Sequence, residues 1–323
     1  MSAGAGVTSV GSILGGAFAL VRRNPLSVLV WGALYVAAVG LLVLAMRPLF
    51  AVYSDLLGQQ FAAGANQPLT QAQLQPYMAQ IQAAGGIVLL GEIGVFALIM
   101  VLVSATQRAV LRPLERGFAY LRLGADELRL IGLGFFLMVC LWIAMFLAML
   151  ALMIVIGIAV ALLYAFGASP ALAALLFLVG YCVMMGATIY AQVRLSLAFP
   201  LTFLRRTFVV GEAWRLSKGR FWTLFGAYAV LALVNTALAA VVMGFALAPF
   251  FSEMAASPNS PEAFRAVLLH QAERFSTLDA LNCALLLGFV VVAGLGVALF
   301  GGAMATAARD LVGDDEGAAT AFA

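Results

Sequence analysis

The chain has 323 residues, 65% hydrophobic and 10% charged, with a mean hydropathy of +1.09 and a formal net charge of +3. Soluble domains are ~45–50% apolar and ~25% charged, so this excess excludes a soluble globular fold and predicts an all-α membrane protein. Cys140, Cys182 and Cys283 lie in apolar runs without CxxC or Cys/His spacing, which excludes a disulfide framework or thiolate metal site and predicts buried free thiols.

Residues 1–8 are small and polar. From Val10 a helical wheel is clean: Val10, Ile13, Leu14, Ala17, Phe18, Leu20 and Val21 share one face, and Ser12, Gly15, Gly16, Arg22 and Arg23 take the other. That pattern predicts an amphipathic helix lying in the membrane interface. No basic residue precedes the apolar stretch and Arg22-Arg23 follow it, the reverse of a secretory leader. Asn24-Pro25 reads as N-cap and first helical position, and residues 26–46 suffice for one span at ~20 residues.

Residues 47–84 are polar, rich in Gln and nearly uncharged. They predict an outer loop with short helices, for instance around 71–82. The second span covers 85–107 and carries Glu92, the one acid inside an apolar run. A charge at a helix centre costs ~2.5–3.5 kcal/mol on insertion scales, so Glu92 needs a partner and is a candidate ion or proton site. A packing role is the plainer reading.

Residues 108–129 form a middle basic segment. Leu111, Leu114, Phe118 and Leu121 make an apolar stripe beside Arg112, Arg116 and Arg122, predicting a second interfacial helix. Asp126 and Glu127 then open the third span, where the positive end of the helix dipole favours acids. The apolar run 130–166 would measure ~55 Å as a helix, beyond a ~30 Å hydrocarbon core, so it must tilt, protrude or break near Gly157. A short turn leads to the fourth span, 171–193.

The segment 194–220 is a third basic elbow. On a wheel, Val209, Val210, Ala213, Trp214 and Leu216 oppose Glu212, Arg215 and Lys218, with Gly219 as the helix stop. Residues 221–250 form the fifth span. Asn235 lies midway along it, where an amide usually makes an interhelical hydrogen bond of ~0.6–2 kcal/mol. Residues 251–279 are a second outer loop holding His270, the lone histidine, which reads as a solvated surface residue. The sixth span covers 280–308. Gly294, Ala298 and Gly302 have small-xxx-small spacing, which permits close helix packing. Residues 309–323 form an acidic tail expected to lack structure.

With the N-terminus inside, fourteen of the seventeen basic residues fall on the inner side. This predicts six spans with both termini cytoplasmic. The interfacial segments begin units at about 9–107, 108–193 and 194–308, giving three parallel repeats of an amphipathic helix plus a helical hairpin, unlike inverted transporter repeats. Arg22, Arg23, Arg112, Arg116, Arg205, Arg206, Arg215, Lys218 and Arg220 lie where anionic headgroups would meet them, each contact worth ~1 kcal/mol. Membrane lipids are therefore the expected partner, and nucleic acid is not. No GxSxG, HExxH, Walker A or GxGxxG arrangement is present, so no enzyme or cofactor is expected.

The run AFPLTFLRRTFVVGEAWRLSKGRFWTLFGAY, with Pro200, Trp214, Arg215, Leu216, Gly219, Phe221 and Trp222, resembles uncharacterised bacterial multipass inner-membrane proteins. These are similar to the membrane domain fused to some glycerophosphodiester phosphodiesterases. SVGSILGGAFALVRRNP is similar to the opening of such proteins. The resemblance implies a multi-helix membrane module in a bacterial inner membrane. It does not imply phosphodiester hydrolysis, which belongs to a separate soluble domain. Two readings follow: a non-enzymatic module that organises lipid or docks a partner, or a transporter or channel using Glu92.

Overall fold

The computed structural model describes residues 8–63, 71–115, 117–167, 170–256, 266–267, 270–271, 274 and 279–321. Among them the chain is helical, with no strand. Its elements are α1 (Val10–Arg23), α2 (Pro25–Ala45), α3 (Arg47–Ala63), α4 (Gln71–Leu111), a 3-10 turn (Phe118–Tyr120), α5 (Ala125–Ala165), α6 (Pro170–Leu195), α7 (Ala198–Arg205), α8 (Val210–Leu216), α9 (Phe221–Ala256) and α10 (Ala280–Ala321). Six helices, α2, α4, α5, α6, α9 and α10, are long and apolar enough to cross a bilayer, and only 6% to 17% of each apolar window is buried. Apolar side chains turned outward on six such helices make this a multipass membrane protein.

The fold is centred on α10, which packs against α1, α2, α4 and α9. Its small residues explain how one helix accepts these four close neighbours beside a lighter contact with α7. A Cβ on Gly294 would lie 2.2 Å from the Val28 carbonyl oxygen of α2, and one on Gly32 of α2 would lie 1.9 Å from the Val290 oxygen. The two backbones are thus in direct contact. Gly296 faces Asn235 of α9, Gly301 faces Thr106 of α4, and Gly302 faces Ala17 and Leu20 of α1. Ala298 is fully buried with Trp31, Leu102 and Ala105.

The helix α1 buries Ile13, Ala17 and Leu20 of its apolar face, while Phe18 of the same face is 46% exposed, and Ser9 and Ser12 cap its start reciprocally. This capping box satisfies two backbone donors at the helix start. The ends of α4, α5, α6 and α10 that carry Arg108, Arg129, Arg194 and Arg309 belong to helices that each pack against α1, α7 or α8. The α5–α6 hairpin departs from these contacts. From Met138 to Ala165 Ile156 is the only buried residue of α5, and it packs on Gly180 of α6. The middle hairpin thus buries its apolar residues at the arginine-rich end and otherwise presents them outward.

Several expectations are corrected. The middle segment is not an interfacial helix. Pro113 brings no N–H and stops α4, and Ala119 and Tyr120 adopt left-handed backbone, φ 49° and 57°. Leu114 and Phe118, assigned to an apolar stripe, are 92% and 78% exposed. The third elbow is two short helices, α7 and α8, divided at Arg206 (φ 58°) and closed by Gly219 (φ 77°). Residues 47–84 are helical wherever described, because Gln and Ala sustain α3 and extend α4 back to Gln71. Of the three alternatives for the long apolar run, the break is overturned: residues 130–165 lie in one helix of 41 residues that passes unbroken through Gly157. The acidic tail continues α10 as far as Ala321. Of the second outer loop, 251–279, α9 takes the residues as far as Ala256, and most of the rest lies outside the described residues. All three cysteines are free and exposed rather than buried, since in a spanning helix apolar residues face outward as readily as inward.

The elbow between α4 and α5 is fixed from a distance. Trp31, fully buried in α2, donates its indole N–H to the Ala119 carbonyl at 2.9 Å. Trp31→Phe removes this donor and part of the filled volume. It should lower stability by about 1–3 kcal/mol and open 112–124 to protease, as read by thermal unfolding in detergent and limited proteolysis.

Candidate functional site

The last turns of α4 set Ser104 and Arg108 at i, i+4 spacing on one helix face, and Arg112, just past the end of α4, extends the row, its N–H bonded to the Arg108 carbonyl at 2.9 Å. Opposite is the start of α5, where Gly124 supplies no side-chain cap and Asp126 and Glu127 occupy the first turn. Both favour the positive end of the α5 dipole. Glu127 is almost fully buried, as is Arg108. Their side chains form a direct ion pair, and the Ser104 hydroxyl donates to the same carboxylate oxygen at 2.9 Å. Arg108 also donates to the Tyr120 carbonyl at 2.7 Å. The buried pair therefore closes the elbow onto α4.

A second ring of contacts surrounds it. Arg112 bonds Asp126 at 3.1 Å and the Phe203 carbonyl of α7 at 3.0 Å, with its guanidinium 4.5 Å from the Phe203 ring centroid. Arg129 bonds Asp126 at 2.8 Å. Glu115 lies 3.8 Å from both Arg108 and Arg112. These groups line a recess of about 300 Å³, together with Arg122 and Arg206. Five guanidiniums face three carboxylates there, an excess of two positive charges. Arg122 and Arg206 are exposed, and neither side chain has an ion-pair partner among the described residues. Chemically, the recess is a cationic bowl at a helix N-terminus, suited to an oxyanion.

A separate buried arginine explains much of the third elbow's sequence. Arg194, at the end of α6, donates to the Ser217 hydroxyl at 3.0 Å and to the Tyr190 hydroxyl at 2.8 Å, and bonds the Trp214 carbonyl. Its guanidinium lies 4.1 Å from the Trp214 ring centroid. Trp214 and Ser217 thus clamp α8 to α6. Nearby, Tyr228 of α9 shares a 2.9 Å hydrogen bond with Ser196.

The candidates chosen from sequence fall in different places. Arg112 and Arg206 meet in the recess, and Arg116 lies outside the described residues. Arg205 pairs with Glu212 at 3.3 Å. Arg22, Arg215 and Lys218 are exposed, and Arg220 is partly buried. Glu92 is exposed on α4, away from the recess. Asn235 packs against Gly296, but its buried side-chain oxygen has no hydrogen-bond partner among the described residues, so the expected interhelical bond to it is not found there. His270 bonds Glu253 at 3.0 Å. Arg108 and Glu127 were not singled out from sequence. An acid in a first helical turn signals only a dipole preference, and its burial depends on what folds over it. Among the described residues no three His, Cys, Asp or Glu side chains are grouped as metal ligands. Comparison with protein-family models, curated proteins and solved structures gives no match.

Proposed function

We propose that this chain is a non-enzymatic module of the bacterial inner membrane, with both termini cytoplasmic, that organises anionic lipid at its arginine-rich end. In this reading an elbow and a hairpin recur three times, and each elbow rests on the inner leaflet. The recess carries the proposal: Arg122 and Arg206 bring two exposed cations, without ion-pair partners among the described residues, to a bowl in positive excess. Cations next to an anionic leaflet gain ~1 kcal/mol each. The 14-to-3 division of basic residues supports the same orientation.

Retention of phosphatidylglycerol against phosphatidylcholine by native mass spectrometry tests the reading. Arg122→Gln with Arg206→Gln should weaken phosphatidylglycerol retention by roughly 10-fold or more, from ~1 kcal/mol per cation, and added salt should narrow the difference. Equal retention by the double variant removes the proposal. Thiol labelling of Gly211→Cys from the outer side of intact cells removes the orientation.

A further inference from the structure

A second cavity, of about 380 Å³, lies between α1, the end of α4 and α10, apart from the recess just described. Gly15 and Gly16 form its α1 wall, and Arg23 and Arg309 stand at its edge. Its depth is marked by chain chemistry. Asn24 and Pro113 both line it; Pro25 opens the apolar span of α2 and Leu111 closes that of α4. The cavity therefore sits at the boundary between hydrocarbon and headgroup, where a leaflet's phosphates lie.

The lining chemistry is mixed. Arg23 is exposed and has no partner among the described residues. Arg309 lies 3.5 Å from its neighbour Asp310, which leaves a net positive edge. Ala109 is also in the wall, and Pro113 brings no N–H to its carbonyl, so this acceptor lacks its helical donor. A Cβ added to Gly15 would meet nothing within 4 Å. Glycine itself thus keeps the space open.

We propose that this cavity binds one phosphate group of an inner-leaflet phospholipid, with Arg23 and Arg309 holding the phosphate and a headgroup hydroxyl or ammonium donating to Ala109. The site shares with the recess only the premise that this end faces an anionic leaflet. The volume exceeds that of several waters at ~30 Å³ each, so it admits a phosphate with its headgroup.

The test uses the full chain in detergent with phosphatidylglycerol as probe, read by native mass spectrometry, and phosphatidylcholine as the lipid lacking both net charge and headgroup donor. Gly15→Leu fills the cavity and should abolish retention of one tightly held phosphatidylglycerol. Arg23→Gln, at an exposed position, keeps the test open if Gly15→Leu folds poorly, and should weaken that retention about fivefold. Gly40→Leu, whose Cβ also meets nothing within 4 Å, adds the same volume on α2 and should leave retention unchanged. Displacement by millimolar inorganic phosphate would support the phosphate site but assign it to a soluble ion; persistence of the lipid would assign it to the headgroup. Retention like wild type in both Gly15→Leu and Arg23→Gln overturns the proposal. Loss in Arg122→Gln/Arg206→Gln with no loss in Gly15→Leu leaves the recess standing and this site fallen, and the opposite pattern does the reverse.

Discussion

Arg108→Met should destabilise the protein by about 3–5 kcal/mol, the cost of leaving a buried carboxylate without its counter-charge. Both side chains are nearly inaccessible. After the substitution Glu127 would keep, among the described residues, only the Ser104 hydroxyl as a hydrogen-bond donor. The magnitude decides between two views of the pair. As a surface contact it would contribute ~0–1 kcal/mol. As a buried pair its single-sided removal is several times larger. The double variant Arg108→Met/Glu127→Leu removes both charges and should recover more than half of the loss. A residue of about 1 kcal/mol should remain, because the Tyr120 carbonyl also loses its donor. Thermal unfolding of the four proteins in one detergent completes the cycle. A loss below about 1 kcal/mol in Arg108→Met would mean that water reaches Glu127 and that the elbow is not closed by this pair.

Gly32→Ala and Gly294→Ala should each cost more than the usual ~1–3 kcal/mol of overpacking. Two effects compete. Alanine favours a helix interior over glycine by ~1 kcal/mol, which alone would stabilise. Against it, the new methyl at Gly32 would lie 1.9 Å from the Val290 oxygen and 2.8 Å from the Gly294 nitrogen. The obstructing atoms are backbone, so no side chain can swing away and the helices must separate. Separation loosens the contact around Trp31, Ala298 and Leu102. Gly40→Ala is the control: with nothing within 4 Å, it should be neutral or stabilising by up to ~1 kcal/mol. Equal unfolding midpoints for Gly32→Ala and Gly40→Ala would contradict the close approach of α2 and α10.

The two expectations show which features sequence could carry. Gly294, Ala298 and Gly302 stand out by spacing, but spacing names no partner. The structure gives Gly294 to α2, Ala298 to the cluster around Trp31, and Gly302 to α1. Gly296 and Gly301, outside that register, serve α9 and α4. Likewise the wheel marks Ile13, Ala17 and Leu20 of α1, which are buried, but also Phe18, which is exposed. It fails between α4 and α5, where Pro113 stops the helix and two left-handed residues are held by Trp31 and Arg108. Those holders come from 88 and 12 residues away. Glu92 stands out in the sequence because an acid is rare in an apolar run, whereas Glu127 reads only as the ordinary acid of a helix start. Burial reverses their interest.

Composition and hydropathy by themselves determined that this chain is helical and threads a membrane with six apolar helices. Those properties are set residue by residue, by the cost of placing backbone and charge in hydrocarbon. Tertiary structure alone decided that α10 is the common neighbour, that the α5–α6 hairpin stands outward, and that arginines from separate segments close into a recess and line a second cavity. Side chains that meet across 91 residues, as the Arg112 guanidinium and the Phe203 ring do, leave no periodic trace in the chain. Their pairing depends on how packed helices bring distant ends to one place.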